Sequence, residues 1–307
     1  MRVLVTGAGG YIGRAVVEAL RQAGHEPVAM LHNDRSCLPV DVEIRTSDLL
    51  VADTLVKAVR DVDAVCHLAG LTRARESSEQ PLRYFAVNVA GTVGLLEAMA
   101  ARGVSILVFA STGSIYGTPE SQPMGEDLPD APPHPYAASK QAAESAIEWQ
   151  ARAGGVGAVV LRLFNVAAGV DPDPTRIVPR VLAAAAGQSP SVEVNGDGSA
   201  VRDFLHVDDA ARAFAAALDS HVEVGQFRRY NIGSGTGASV LDVVAAAERA
   251  TGRSVPVIHR PVAAEPQQAL VCDPGLAAAE LGWKPLRSDL DTIVQDAWTS
   301  RTQQDQQ

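Results

Sequence analysis

The sequence predicts an α/β fold, a doubly wound parallel sheet joined to a smaller second lobe, and three observations carry that prediction. The first half of the chain alternates short apolar runs with stretches of helical period, the rhythm of strands linked by crossover helices. The first apolar run stops at a glycine-rich turn, Gly7-Ala8-Gly9-Gly10-Tyr11-Ile12-Gly13, and a helical pattern follows directly. The composition is 47% hydrophobic but only 5% aromatic, which suits Ala- and Val-rich helices packed on strands buried on both faces.

Length and charge narrow the class further. At 307 residues the chain holds a large core, as one domain or as a domain with a smaller lobe. A net charge of −10 argues against binding to nucleic acid or to an anionic membrane surface, so an anionic ligand must be held by local donors. Cys37, Cys66 and Cys272 are odd in number, widely spaced and match no metal pattern, so they read as reduced thiols of a cytoplasmic protein, with no metal site. The first residues read as a strand rather than a leader, and the Ala-rich stretches are interrupted by charges, so no membrane span is expected.

Taken in order, residues 3–6 form a strand, the glycine turn follows, and a helix runs to about residue 23 before Gly24. Gly7 permits the tight turn, Gly10 lets the backbone approach a pyrophosphate, and Gly13 lets helix and strand pack closely. The phosphates then meet the free N–H groups and dipole of a helix N-terminus. The next strand, 27–31, ends on the group that reads the adenine ribose. An acidic residue there bonds the 2′-hydroxyl of NAD, and a basic one accommodates the 2′-phosphate of NADP. His32-Asn33-Asp34-Arg35 offers Asp34 for the first and Arg35 for the second, so NAD and NADP both stay open. Strand 42–45 leads to Asp48, placed to accept from the adenine amino group or to cap the helix over 52–60. Strand 63–68 opens into Ala69-Gly70-Leu71, whose small residues let the backbone lie against a cofactor. Asn88, inside a long helix over 81–102, either braces the backbone behind the fifth strand or is helix surface. That fifth strand, 106–110, delivers Ser111-Thr112-Gly113-Ser114-Ile115-Tyr116-Gly117 at the carboxyl edge, where open α/β sheets bind ligands.

A proline-rich loop then leads into a helix over 134–153 that carries Tyr136 and Lys140, and strand 156–164 ends at Asn165. Beyond it the pattern changes to a turn-rich entry at 171–174, a helix over 176–187, a strand at 191–194 and a turn at 195–198. A strand from 201 runs into a helix reaching about 219, another strand ends at 231–233, and a helix spans 239–251. The last segment, 255–300, mixes short strands with two helices, and the polar tail from 301 to 307 is expected to be flexible. The layout is a Rossmann-type doubly wound parallel sheet with a smaller discontinuous C-terminal substrate lobe. Residues 1–166, with about 203–233, form the dinucleotide-binding domain; 167–202 and 234–300 form the lobe.

Tyr136 and Lys140 are four residues apart and therefore share one helix face. A phenol loses its proton near pH 10, and a fixed ammonium beside it favours the phenolate. Bringing that value to neutrality takes about 4 kcal/mol of differential stabilisation. Seen alone, the spacing fits a half-packed ring and a solvated charge equally well. Only three lysines occur beside 23 arginines, so a lysine at position 140 carries some information of its own.

Together these motifs resemble the extended short-chain dehydrogenase/reductases: Thr6-Gly-Ala-Gly-Gly-Tyr-Ile-Gly13, Asp48-Leu49, His67-Leu-Ala-Gly70, Ser111-Thr112 with Ile115-Tyr-Gly117, and Tyr136-x-x-x-Lys140. Leu161-Arg-Leu-Phe-Asn165, Asn195-Gly-Asp-Gly198, Val201-Arg-Asp-Phe204 and His206-Val-Asp-Asp209 are similar to the nucleotide-sugar epimerase/dehydratase branch, closest to the UDP-glucose 4-epimerases. The resemblance covers about residues 1–300 and implies a nucleotide-sugar 4-epimerase with bound NAD. Tyr136 is then the base for the sugar 4-hydroxyl while hydride leaves C4 for NAD. Lys140 bonds the nicotinamide ribose and holds Tyr136 as phenolate, and Thr112 bonds the reacting oxygen. The resulting 4-keto sugar turns over and takes the hydride back on its other face.

The same resemblance implies cofactor contacts from Gly7, Gly10, Tyr11, Ile12 and Gly13, from His32, Asn33, Asp34 and Arg35, and from Asp48 and Leu49. Leu68, Ala69, Gly70, Asn88 and Ala110 complete that set beside Tyr136 and Lys140. For the substrate it implies Thr72, Thr112, Gly113, Ser114 and Tyr136, then Asn165, Arg176, Ile177, Val178, Val194, Arg202, Arg260 and Glu265. Asn165, Arg202 and Arg260 match positions that hold the diphosphate or nucleotide, which arginine suits; an ion pair of Arg202 with Asp203 or Asp208 is the structural alternative. Arg176 meets either a substrate carboxylate or solvent. Leu270 stands near a position where a bulky aromatic narrows some epimerases, which leaves room for N-acetylated sugars. Sugar 4,6-dehydratases carry an Asp-Glu pair directly after the threonine; Gly113 and Ser114 stand there and transfer no protons near neutral pH. His32 replaces the acidic residue common in 4-epimerases, which makes an NADPH-dependent 4-ketoreductase the main rival. The resemblance also implies a homodimer, paired through the helices near 81–102 and 134–153.

Overall fold

The computed structural model describes residues 1–32, 38–261 and 269–304. The chain opens with β1 (Arg2–Thr6), α1 (Tyr11–Gln22), β2 (Glu26–Leu31), β3 (Glu43–Thr46), α2 (Ala52–Ala58) and β4 (Ala64–His67). In α1 the buried Val16, Val17 and Leu20 recur at helical spacing on the face turned to the sheet. β4 is buried at all four positions, as a central strand covered on both faces must be.

Next come α3 (Ala74–Glu79), which the sequence pattern did not reveal, α4 (Pro81–Phe85) and α5 (Gly91–Arg102). A π-helical turn at Ala86–Ala90 joins α4 to α5, so 81–102 is continuous helix. By length and composition this run is able to cross a bilayer, contrary to the expectation from its interrupting charges. Its buried side, including Tyr84, Leu95 and Met99, packs within this fold. β5 (Ile106–Thr112), α6 (Pro135–Arg152) and β6 (Gly157–Leu163) follow. β5 runs two residues past the expected end, so Ser111 and Thr112 are held in the strand ladder, opposite Arg162 and Leu163.

The remaining elements are β7 (Asn165–Ala167), α7 (Ile177–Ala185), β8 (Val192–Asn195), β9 (Val201–His206), α8 (Val207–Asp219) and β10 (Phe227–Ile232). After them come β11 (Gly237–Ser239), α9 (Val240–Thr251), β12 (Val257–Arg260), β13 (Ala269–Leu270), α10 (Gly275–Glu280) and α11 (Leu290–Gln304). Ser239 and Asp242 form a reciprocal capping box that starts α9. α11 continues through Gln304, so residues 301–304, read from sequence as tail, extend the helix, and the Arg301 guanidinium bonds Gln188.

Seven strands form the main sheet in the order β10-β6-β5-β4-β1-β2-β3, all parallel. The chain builds outward from β1 to β3, then returns to β4 on the other side of β1. The two crossovers leave in opposite directions there, and a crevice opens at the carboxyl ends of β1 and β4. α1 and α8 cover one face around Val17, Leu20 and Phe214, and α2, α5 and α6 cover the other around Leu55, Met99 and Ile147. The second lobe has its own core, Val181, Leu182, Val243 and Ile293 among α7, α9 and α11. β9 pairs with β7, β11 and β13 in a small sheet, so the sequence boundary at 203 falls inside a strand of that sheet. Asp209 explains the His206-Val-Asp-Asp209 motif structurally: its buried carboxylate accepts from the backbone N–H groups of Leu286 and Arg287 and from Ser288, fastening the 286–288 turn to α8.

Candidate active site

The glycine turn is built as its spacing predicts. Gly7 has φ +69°, and a Cβ there would lie 2.8 Å from the Ala69 nitrogen. A Cβ on Gly13 would lie 2.1 Å from the Gly7 carbonyl oxygen, so only glycine lets α1 approach β1 this closely. No side chain caps α1, and its first turn holds no acidic residue, which leaves the N-terminal N–H groups and the dipole available to a phosphate.

β1 and β4 are locked across the crevice by a hydrogen-bond chain with one possible direction. Thr92 donates to the Asn88 carbonyl (2.6 Å), so its oxygen accepts from His67 Nε2 (3.0 Å). That leaves His67 Nδ1 to accept from Thr6 Oγ (2.7 Å), whose oxygen in turn accepts from the Leu68 and Ala69 N–H groups. Burial, then the Lys140 charge, pull the His67 pKa down to about 3, so the ring stays neutral and the chain stays oriented.

Thr112 ends β5 and accepts from the Ser114 N–H (3.1 Å) as the N-cap of a 3₁₀ turn. Pro135 stands in the first turn of α6, where its missing N–H costs nothing, and the His134 ring caps the helix by accepting from Ala137 N–H (3.2 Å). The same His134 ring stacks on Tyr136 (5.8 Å between centroids), and Tyr84 meets Tyr136 edge-on at 6.4 Å. These contacts orient the Tyr136 ring, whose phenol is near enough to the Thr112 side chain for that side chain to favour the phenolate.

Lys140 lies buried against the end of β5. Its buried ammonium donates to the Ala110 carbonyl (2.9 Å) and lies 4.6 Å above the Phe109 ring. Burial lowers its pKa to about 8, with Glu144 pulling the other way. The Tyr136 phenol is pushed above its ordinary value by burial, and the Thr112 side chain and the Arg176 charge act to lower it.

These groups open into one cleft of about 680 Å³. Gly7, Gly10, Tyr11, Ile12 and Gly13 line its floor with His32, and Leu68, Ala69, Gly70 and Ala110 line the adjoining strand ends. Thr72, Thr112, Tyr136 and Lys140 stand in the middle, and Asn165, Arg176, Ile177 and Val178 close it from the lobe side. Asp171 and Phe204 also line it; Phe204 ends the Val201-Arg-Asp-Phe204 motif, whereas Asp171 read only as part of a turn, its carboxylate 3.3 Å from the Arg176 guanidinium being visible only once α7 is placed.

Other expected residues lie off the wall. Asn88 is buried and grips Leu71 on both backbone groups while donating to Ser139, so it braces the loop after β4. Asp48 accepts from the Leu50 N–H in a local turn, 3.7 Å from His32, and does not cap α2. Leu49 is buried against Gly91. Gly113 is packed under the Phe164 ring, where a Cβ would be 2.7 Å away, and Ser114 sits in the turn behind Thr112. Val194 belongs to the lobe core because β8 turns it inward. Arg260 is exposed and pairs with Glu193, since β12 and β8 are neighbours. Arg202 is half-buried on β9 and donates to the Val201 carbonyl (2.7 Å); Asp203 accepts from Ser234, Gly235 and Cys272, and Asp208 pairs with Arg287. Asn33, Asp34, Arg35 and Glu265 lie outside the described residues.

The uncapped helix, the glycine cradle and the phenol–threonine pair in one cleft fit a dinucleotide and a hydroxyl-bearing substrate. Known proteins of the same shape agree. Residues 3–233 match the profile of the NAD dependent epimerase/dehydratase family. A UDP-glucose 4-epimerase of Streptomyces lividans is 39% identical, over 97% of this chain and 95% of that protein. The UDP-glucose 4-epimerase of Stenotrophomonas maltophila, solved with bound NAD and formylated UDP-arabinopyranose, superposes with a TM-score of 0.92 at 31% identity, covering 100% of this chain and 99% of that one. The Brucella ovis UDP-glucose 4-epimerase in complex with NAD gives 0.91 at 35% identity, with 97% of each chain covered.

Proposed function

The chain belongs to the NAD dependent epimerase/dehydratase family, and from that premise we propose that it is a nucleotide-sugar 4-epimerase acting on UDP-hexoses. The observation that carries this reading is the convergence of Thr112, Tyr136 and Lys140 on the cleft that begins at the glycine turn, with Gly113 and Ser114 where a dehydratase places its acid pair.

NAD, when bound, supplies the oxidant for sugar C4 and the store from which the hydride returns. The turn at Gly7, Gly10 and Gly13 and the uncapped α1 N-terminus would hold its pyrophosphate. Tyr136 takes the proton of the 4-hydroxyl through the same oxygen that reaches Thr112, and returns it after the 4-keto sugar has turned over. Thr112 holds the reacting oxygen, being itself fixed in the β5 ladder. Lys140, dry and one helical turn along α6 from Tyr136, would bond the nicotinamide ribose. With no carboxylic acid at 113 or 114, the sugar loses no water and the net reaction is inversion at C4.

Purified protein with no added cofactor is expected to interconvert UDP-glucose and UDP-galactose, and denaturation is expected to release NAD, identified by mass spectrometry. Turnover strictly dependent on added NADPH overturns the epimerase in favour of a ketoreductase.

The same reading includes a homodimer of a cytoplasmic protein. Leu82, Phe85, Val93 and Trp149 are exposed large apolar side chains on α4, α5 and α6, and a four-helix contact between two copies covers them. Trp149→Glu combined with Leu82→Glu is expected to convert a dimer to a monomer in light scattering; a wild-type protein that is monomeric at micromolar concentration excludes this contact. The buried Cys66 and Cys272 are free thiols, in keeping with a reducing compartment.

A further inference from the structure

The α6 stripe that carries Tyr136 and Lys140 continues one turn further to Glu144, a buried carboxylate with no part in the proton and hydride transfers. It accepts from Ser111 Oγ, from Arg162 Nε (3.1 Å) and Nη2 (2.8 Å), and from Arg229 Nε (3.0 Å). These three partners stand on β5, β6 and β10, which are adjacent in the sheet, and Ser111 lies opposite Arg162 in the ladder. Ser111 is bonded directly to Thr112. On its other side the fully buried Arg162 meets Asp130 (2.7 Å), in the loop that leads into α6, and its guanidinium lies 4.5 Å from the centre of the Tyr116 ring.

The position of these charges is informative because burying them is expensive, and an apolar set of equal volume packs at least as well. What a carboxylate–guanidinium fork adds is direction. Of the other buried residues of α6, Ala137, Ala143, Ile147 and Ala151 are smooth and apolar and resist sliding poorly, and Lys140 adds a single bond to the Ala110 carbonyl of β5. Proton transfer tolerates a displacement of only about 0.5 Å.

We propose that Glu144 is a positioning residue for the epimerisation: through Ser111 it fixes Thr112 against Tyr136, and through Arg162 and Arg229 it fixes α6 on three strands. This role rests on the catalytic reading above. Glu144 also faces Lys140 along the helix and raises its pKa against the effect of burial. Among the described residues the neutral His67 on β4 also feels that ammonium. Removing the carboxylate charge therefore lowers the pH at which Lys140 loses its proton.

The test compares Glu144→Gln, Ser111→Ala and Tyr136→Phe as holoenzymes with UDP-galactose, with NAD content and circular dichroism measured for each. Glu144→Gln and Ser111→Ala are expected to lower kcat by about 10- to 100-fold with KM within about twofold and NAD content unchanged, since nucleotide and dinucleotide are gripped elsewhere. The basic limb of the kcat profile is expected to move to lower pH in Glu144→Gln and to stay in place in Ser111→Ala. Ser111→Ala removes one hydroxyl and keeps the test decisive if Glu144→Gln does not fold. Wild-type kcat in folded Ser111→Ala, or a fall in kcat that only tracks lost NAD or lost fold, overturns the positioning role. Full turnover by Tyr136→Phe overturns the catalytic reading itself.

Discussion

Tyr136→Phe is expected to lower kcat by about 10² to 10⁴-fold, the range that a positioned general base contributes. Affinity for the nucleotide sugar and NAD content are expected to stay near wild type. The ring keeps its stack on His134 and its edge contact with Tyr84, so packing hardly changes and only the hydroxyl is lost. The alternative, a half-packed ring with no chemistry, predicts unchanged turnover for the same substitution. Steady-state kinetics with a coupled assay for UDP-glucose separates the two.

Arg162→Ala is expected to cost about 3–5 kcal/mol of stability, because it leaves Glu144 and Asp130 without their buried cation. A loss of that size is a large share of the roughly 5–15 kcal/mol by which proteins of this kind are stable. Arg229 reaches Glu144 from a half-exposed position and compensates only in part. Urea unfolding followed by circular dichroism measures the loss; a change within about 0.5 kcal/mol, the range of surface substitutions, rejects it. Combining Arg162→Met with Glu144→Leu removes charge on both sides and is expected to recover much of the stability without recovering turnover, since apolar packing restores cohesion but not direction.

The residues that could be placed from sequence were those whose role is decided within one turn or one loop. Gly7 and Gly13 were legible because a tight turn beside a helix start excludes a Cβ. Tyr136 and Lys140 were legible because four residues make one helical turn, and Thr112 because a strand must end where the ligand crevice begins. Asn88 could be read only as brace or surface, because its partners lie 17 and 51 residues away. Arg260 and Val194 stand off the cleft wall because the pairing of β8 with β12 decides which side chain turns inward. Lys140 could be placed on the face of Tyr136, but the bond of its ammonium to a carbonyl of β5 joins residues 30 apart and was not legible.

By itself, then, the sequence determined the strand and helix rhythm, the glycine cradle and the shared helix face of Tyr136 and Lys140, all set by local sterics and period. The tertiary structure alone decided how those side chains are held. Ser111 meets Glu144 across 33 residues, Thr6 meets His67 across 61, and Tyr116 meets Asn231 across 115. Such partners are chosen by strand order and register, which bring distant backbone together before any side chain can bond. No spacing along the chain encodes that choice.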